Sequence, residues 1–208
     1  MAAPWNPLMH EETYVRRRAV PNSHTSSVVF THGVGQKSSE WLYVVDRLRA
    51  LAPLDHVAFI FPYLNHDGTA ASNVELVQTI VTDEIKKGIA HDRIAVVGFA
   101  KGGPVALSAV LSSSTKIAGV GSLALDAGAS EAVTKPATEQ SKTPVFIAAR
   151  APADSAVVAL AEALKATGQP VQVAVYDTAV TATEKEPLTQ QELEALAVFL
   201  SKVLPVAK

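Results

Sequence analysis

One stretch limits the folds open to this chain more than any other: Ile94-Ala-Val-Val-Gly-Phe-Ala-Lys-Gly-Gly-Pro-Val-Ala-Leu, residues 94–107. Ile94 to Val97 is a short unbroken apolar run, which reads as a strand buried on both faces. Glycines then pinch the chain into a tight turn, and a helix of small residues opens at about Lys101. A fully buried strand feeding directly into a close-packed helix suits a parallel sheet, where strands are joined by helical crossovers.

The same alternation runs along the rest of the chain. Residues 1–12, with Pro4, Pro7 and Glu11-Glu12, read as a loose lead-in. Thr13–Val20 reads as an edge strand whose charged side chains discourage further pairing. Val28–Thr31 is a short buried strand that runs into His32-Gly33-Val34-Gly35. Ser38 or Ser39 is placed to cap a helix with Trp41, Leu42, Val45, Leu48 and Leu51 at helical spacing. Val57–Phe61 is the next strand, halted by Pro62, and Ser72-Asn73-Val74-Glu75 has the form of a capping box before a helix ended by Gly88. Past the pinched turn, the apolar run Ala118–Leu125 stops at Asp126-Ala127-Gly128, and 129–143 is polar and irregular. Val145–Ala148, Ser155–Ala166 and Val171–Tyr176 read as strand, helix and strand, and Thr189-Gln-Gln-Glu192 caps a last helix with Leu193, Leu196, Leu200 and Val203. This alternation, without internal repeats, predicts one α/β domain over residues 1–208, a three-layer α/β/α sandwich around a mostly parallel sheet.

Composition narrows the function classes. With 48% hydrophobic and 18% charged residues in 208, the chain can bury a sizeable core. The formal charge is -2 and the one basic run is Arg16-Arg17-Arg18, so nucleic acid is not an expected partner. The absence of cysteine excludes disulfides, thiolate metal sites and cysteine nucleophiles. The six histidines lack H-E-x-x-H or similar spacing, and Gly33-Val-Gly35 is too slight a glycine pattern for a nucleotide, so neither metal nor other cofactor is expected. No apolar signal region and no run of ~18 apolar residues occurs, which predicts a soluble, cytoplasmic protein without a membrane span. Oligomeric state is left open.

Gly98-Phe99-Ala100-Lys101-Gly102 has the layout of a nucleophile elbow, G-x-S-x-G, with alanine where serine would stand. Together with the Thr31–Gly35 turn and the strand leading to Arg150-Ala-Pro-Ala-Asp154, it resembles the α/β-hydrolase fold. More narrowly, Glu84-Ile-Lys-Lys-Gly-Ile-Ala-His-Asp-Arg-Ile-Ala-Val-Val-Gly-Phe and the Phe199–Pro205 ending resemble the phospholipase/carboxylesterase family that includes acyl-protein thioesterases. The likeness covers most of residues 27–205. It implies a triad whose serine falls on Ala100, whose acid falls on Asp154 and whose histidine falls at about Thr181. Only the acid survives, and no histidine follows His91. The resemblance also implies an oxyanion site built from the N–H groups of Val34 and Lys101, beside Gly33. The family's longer insert after Phe61 is reduced to Pro62–Ser72, which implies a minimal lid and argues against a long acyl chain.

Alanine cannot attack a carbonyl, and threonine cannot replace imidazole as a base near neutral pH. Losing the triad costs on the order of 10⁶ in turnover, with ~10³–10⁴ over water retained by the oxyanion site and binding. A competent serine hydrolase is therefore not expected. The backbone donors survive side-chain replacement, so a carbonyl, enolate or carboxylate can still be held above Ala100. Acid–base candidates are His66, Asp154, His32 and Asp126. Each has a plain structural alternative: a solvated loop histidine for His66, a cap of the 155–166 helix for Asp154, a turn residue for His32 and a turn former for Asp126. Lys101 is expected to offer its amide while its side chain points outward.

Three functions fit these residues. The first is a repurposed enzyme performing isomerase, cyclase or lyase chemistry on a small carbonyl compound. The second is a pseudoenzyme that binds a small ligand or a protein, and the third is a carboxylesterase or thioesterase disabled by engineering.

Overall fold

The apolar runs of the sequence lie side by side in one eight-stranded sheet of order β1-β2-β4-β3-β5-β6-β7-β8. A computed structural model describes residues 7–33, 36–65, 70–125, 142–150, 155–176 and 187–207. The strands are β1 (Leu8–His10), β2 (Tyr14–Arg17), β3 (Ser26–Thr31), β4 (Val57–Pro62), β5 (Ile94–Phe99), β6 (Gly119–Leu123), β7 (Val145–Arg150) and β8 (Val171–Tyr176). Pairings from β4 through β3, β5, β6 and β7 to β8 are parallel, whereas β1–β2 and β2–β4 are antiparallel. The helices are α1 (Leu42–Leu51), α2 (Ala70–Lys86), α3 (Gly102–Leu111), α4 (Ser155–Ala166) and α5 (Gln190–Val203).

The period-2 alternation of each strand divides the core into two layers. Val28 and Phe30 of β3, Phe59 and Phe61 of β4, Val97 and Phe99 of β5 and Phe146 of β7 pack with α1 and α5. Val29, Ile60, Val96 and Ile147 point the other way and pack with α2, α3 and α4. Both faces are covered, so β3, β4 and β5 are buried along their whole length and carry no polar alternation. The chain has the α/β/α sandwich expected of it. Among the described residues, no helix is long and apolar enough to cross a membrane.

Three local expectations are corrected. Leu8–His10 is a strand rather than loose lead-in, and the charged second strand is therefore not the edge. Its arginines tolerate a neighbour because Arg16 is paired with Glu84, and Arg17 lies 2.8 Å from Asp46. Ser38 does not cap α1; its hydroxyl donates to the Pro62 carbonyl at 2.6 Å, and a short 3₁₀ turn (Ser38–Trp41) leads into the helix. Ser72–Glu75 lies inside α2 rather than ahead of it, with the Asn73 side chain bonded to the Asn65 backbone through both its oxygen and its nitrogen. By contrast, Thr189 and Glu192 form the reciprocal capping box read from the sequence, and Gly88 follows α2 at φ 97°.

Candidate functional site

The C-terminal ends of the parallel strands come together where β5 passes into α3. The intervening turn is only Ala100 and Lys101, and Ala100 is held at φ 47°. For a residue with a Cβ, that left-handed conformation costs roughly 1–2 kcal/mol. It is held by neighbouring backbone: the Ala100 N–H donates to the Leu123 carbonyl at 2.8 Å, and the Gly103 N–H donates to the Ala100 carbonyl at 2.9 Å.

The glycines explain how the turn can be so tight. A Cβ on Gly98 would lie 2.3 Å from the Gly102 oxygen, and one on Gly102 would lie 2.4 Å and 2.5 Å from the carbonyl oxygens of Thr31 and His32. A Cβ on Gly103 would lie 2.2 Å from the Ser122 hydroxyl oxygen. Strand β5, helix α3 and the end of β3 are thus interlocked at separations that only glycine permits. Thr31 strengthens the junction, with its Oγ1 2.8 Å from the Gly102 carbonyl and 3.2 Å from that of Val97.

Lys101 stands at the N-cap of α3 with φ -64° and an exposed side chain, as the sequence suggested. Its amide meets no acceptor among the described residues, and it lies at the positive end of the α3 dipole. Gly33 is packed against the same turn: a Cβ built on it would sit 3.9 Å from that of Ala100. Its N–H donates to Gln36 Oε1 at 3.0 Å, so this amide is already engaged.

His32 is 2% exposed, with Nδ1 2.9 Å from the Gly33 carbonyl and Nε2 3.1 Å from Ser38 Oγ. Ser38 in turn donates to Pro62. This geometry ties the β3 turn to the 3₁₀ turn before α1 and to the end of β4. Val34, His66, Asp126, Asp154 and Thr181 lie outside the described residues. The remaining described histidines are elsewhere. His24, His56 and His91 precede β3, β4 and β5 at the opposite sheet edge, and His10 sits on β1 beside the Tyr63 hydroxyl. Among the described residues no group of three His, Asp or Glu could hold a metal ion.

A charged pair missed by the sequence reading closes the same sheet edge. Arg150, the last residue of β7, forks onto the fully buried Glu192 carboxylate, with Nε and Nη2 at 2.9 and 3.0 Å. Nη2 also donates to the Pro187 carbonyl at 2.6 Å, and the guanidinium stands 5.5 Å from the Phe99 ring centre. Burial and the Glu192 charge push the Tyr176 phenol up, keeping it protonated. The capping box marked Glu192 as a helix-start residue, but no spacing in the sequence ties it to Arg150, 42 residues away.

Comparison with known proteins agrees with this geometry. Residues 63–204 match the phospholipase/carboxylesterase family. Acyl-protein thioesterase 1 of Neurospora crassa is 27% identical, over 88% of this chain and 88% of its own length. The protein of that name from Mycosarcoma maydis is also 27% identical, over 87% and 92%. Among solved structures, esterase PE8 superposes with a TM-score of 0.73 at 16% identity, over 92% of this chain and 99% of its own. A phospholipase/carboxylesterase from Dyadobacter fermentans gives 0.66 at 19% identity, over 93% and 100%.

Proposed function

The chain belongs to the phospholipase/carboxylesterase family, and we propose that it keeps the family's elbow as a carbonyl-binding site while lacking the acyl-enzyme route. The observation that carries this reading is Ala100 at φ 47° in a turn closed by three glycines. Strained backbone persists only where its surroundings over-determine it. Here the turn presents no nucleophile; it presents the Lys101 amide at the N-terminus of α3, above a small apolar floor. A carbonyl oxygen, an enolate or a carboxylate would accept that N–H and be stabilised by the helix dipole.

The chemistry assigned to the site is non-hydrolytic, of isomerase, cyclase or lyase type, on a small carbonyl-containing molecule. The short connection between β4 and α2, only residues 63–69, supports a small substrate. His66 would move the proton and Asp154 or Asp126 would orient it. His32 would hold the turn. The engagement of both His32 nitrogens also favours a second reading, a pseudoenzyme that binds the same kind of ligand without turnover.

Thermal-shift and calorimetric titration with short-chain esters, thioesters, ketones and the matching acids, followed by product analysis, tests the proposal. Saturable binding without acyl transfer is expected. It should survive Lys101→Ala, which leaves the amide, and be lost in Ala100→Leu, which fills the floor. Loss of product formation in His66→Ala would support the proton-transfer reading; binding without any product would support the pseudoenzyme. Hydrolysis of a p-nitrophenyl ester well above the ~10³–10⁴ left to a triad-less site would sink both. Recovery of hydrolysis in Ala100→Ser with Thr181→His would instead point to a disabled esterase.

A further inference from the structure

The two edges of the sheet are treated in opposite ways. At one end, β1 has three residues, and Glu11, Glu12, Arg16, Arg17 and Arg18 crowd the β1–β2 hairpin. Short strands and charges of this kind are how soluble proteins discourage edge-to-edge pairing. At the other end, β8 is six residues long, Val-Gln-Val-Ala-Val-Tyr, with no charge and no proline. It pairs with β7 on one side, and nothing among the described residues pairs with its outer side. Val175 is 51% exposed on it, and Val158 of the flanking α4 is 48% exposed.

We propose that β8 is a homodimer interface, in which two copies of this chain pair their β8 strands antiparallel across a two-fold axis. The strand is complementary to itself. Val171 and Val173 pack toward the α2–α3–α4 layer, while Ala174 and Tyr176 pack toward the opposite one. By the period-2 rule, Val171, Val173 and Val175 share one face. Directly opposed residues of an antiparallel pair must also share a face, so a strand meeting its own copy is limited to registers centred on a residue. Centring on Val173 sets Val171 against the copy's Val175 and Val173 against the copy's Val173, an unbroken row of β-branched cross-strand pairs. No like charges meet within the strand.

The valine face lies on the side of α4, whose outward residues are Ser155, Val158, Ala159, Glu162, Ala163, Lys165 and Ala166. Its two charges, Glu162 and Lys165, are already paired at 2.8 Å. The six residues of β8 and the outward face of α4 make a contact smaller than the ~20–30 residues a side of a standard interface, which fits a weakly associating dimer. Such pairing is closed: it occupies both uncharged edges and leaves only the guarded β1 edges outside.

Sedimentation and light scattering of the full chain at tens of micromolar should give twice the 21.9 kDa chain mass. Val175→Lys alters an exposed side chain and should weaken association at least tenfold without changing the monomer's melting temperature by more than a few degrees. The native chain has no cysteine, so Val173→Cys introduces a single thiol, which should cross-link to a covalent dimer under mild oxidation; Lys86→Cys, on α2, should not. A wild-type chain that stays at 21.9 kDa overturns the proposal. So does a dimer indifferent to Val175→Lys that fails to cross-link through Val173→Cys, since that dimer uses another surface.

Discussion

Replacing Gly103 by alanine would place a methyl group 2.2 Å from the Ser122 hydroxyl oxygen, in a region where both residues are buried. Overpacking of this kind costs about 1–3 kcal/mol. Part is offset, because alanine is favoured over glycine in a helix by about 1 kcal/mol. Ser122 offers an unusual way to isolate the clash: its hydroxyl has no hydrogen-bond partner among the described residues. Ser122→Ala should therefore be neutral or stabilising on its own, by up to about 1–3 kcal/mol if the hydroxyl is unsatisfied. In the double variant, the nearest atoms to the new methyl are the residue-122 Cβ and Leu125 Cδ1, both at 3.4 Å, an ordinary contact. Gly103→Ala alone should destabilise, and adding Ser122→Ala should restore stability to at least the wild-type level. The expected coupling is about 1–3 kcal/mol, read from urea unfolding midpoints at constant m-value. Effects that add to within ~0.5 kcal/mol would refute the packing argument for the elbow. Gly98→Ala is the contrasting case, since its closest neighbours are backbone atoms of Gly102 and no side-chain truncation can relieve it.

Other substitutions test other joints. Glu84 is buried, which by itself would raise its pKa. The Ser27 hydroxyl, Arg16 and Lys87 outweigh that and hold the carboxyl below its usual 4.5. Its stabilising contribution is therefore complete above about pH 4.5 and is lost as pH falls through the depressed folded value. Glu84→Gln should cost about 3–5 kcal/mol near neutrality by leaving Arg16 uncompensated, and should flatten the acid limb of a pH series of urea melts. Thr189→Ala removes the acceptor for the Glu192 N–H at 3.2 Å and should lower stability by ~0.5–2 kcal/mol in the same assay. Ala100→Gly should change stability by less than about 1 kcal/mol, because relief of the positive φ is countered by unfolded-chain entropy. Ala100→Val, β-branched at φ 47°, should lose about 1–3 kcal/mol.

The layered fold was legible because burial on both faces leaves a direct mark on composition. Val57–Pro62 and Ile94–Phe99 are apolar without alternation, and the helices between them show amphipathic spacing. The elbow was legible too, since its glycines are required by atoms a few residues away in the chain, with Gly98 against Gly102. That Ala100 offers no attacking atom needed no structure at all, since alanine has none in any conformation. Elements whose stability depends on remote partners were misread. The β1 strand forms against a charged neighbour because Arg16 finds Glu84, 68 residues away, and Ser38 leaves its capping position because the Pro62 carbonyl is within 2.6 Å.

The sequence by itself determined the α/β layering, the glycine turn and the alanine at its centre, because these follow from residue types and local spacing. Tertiary structure alone decided that His32 is tied up between Gly33 and Ser38, that Arg150 and Glu192 close the same sheet edge, and that the uncharged β8 is the last strand of the sheet among the described residues. Those are relations between distant segments. A hydrogen bond or a free strand edge depends on which neighbour arrives within about 3 Å, and only the folded chain determines that.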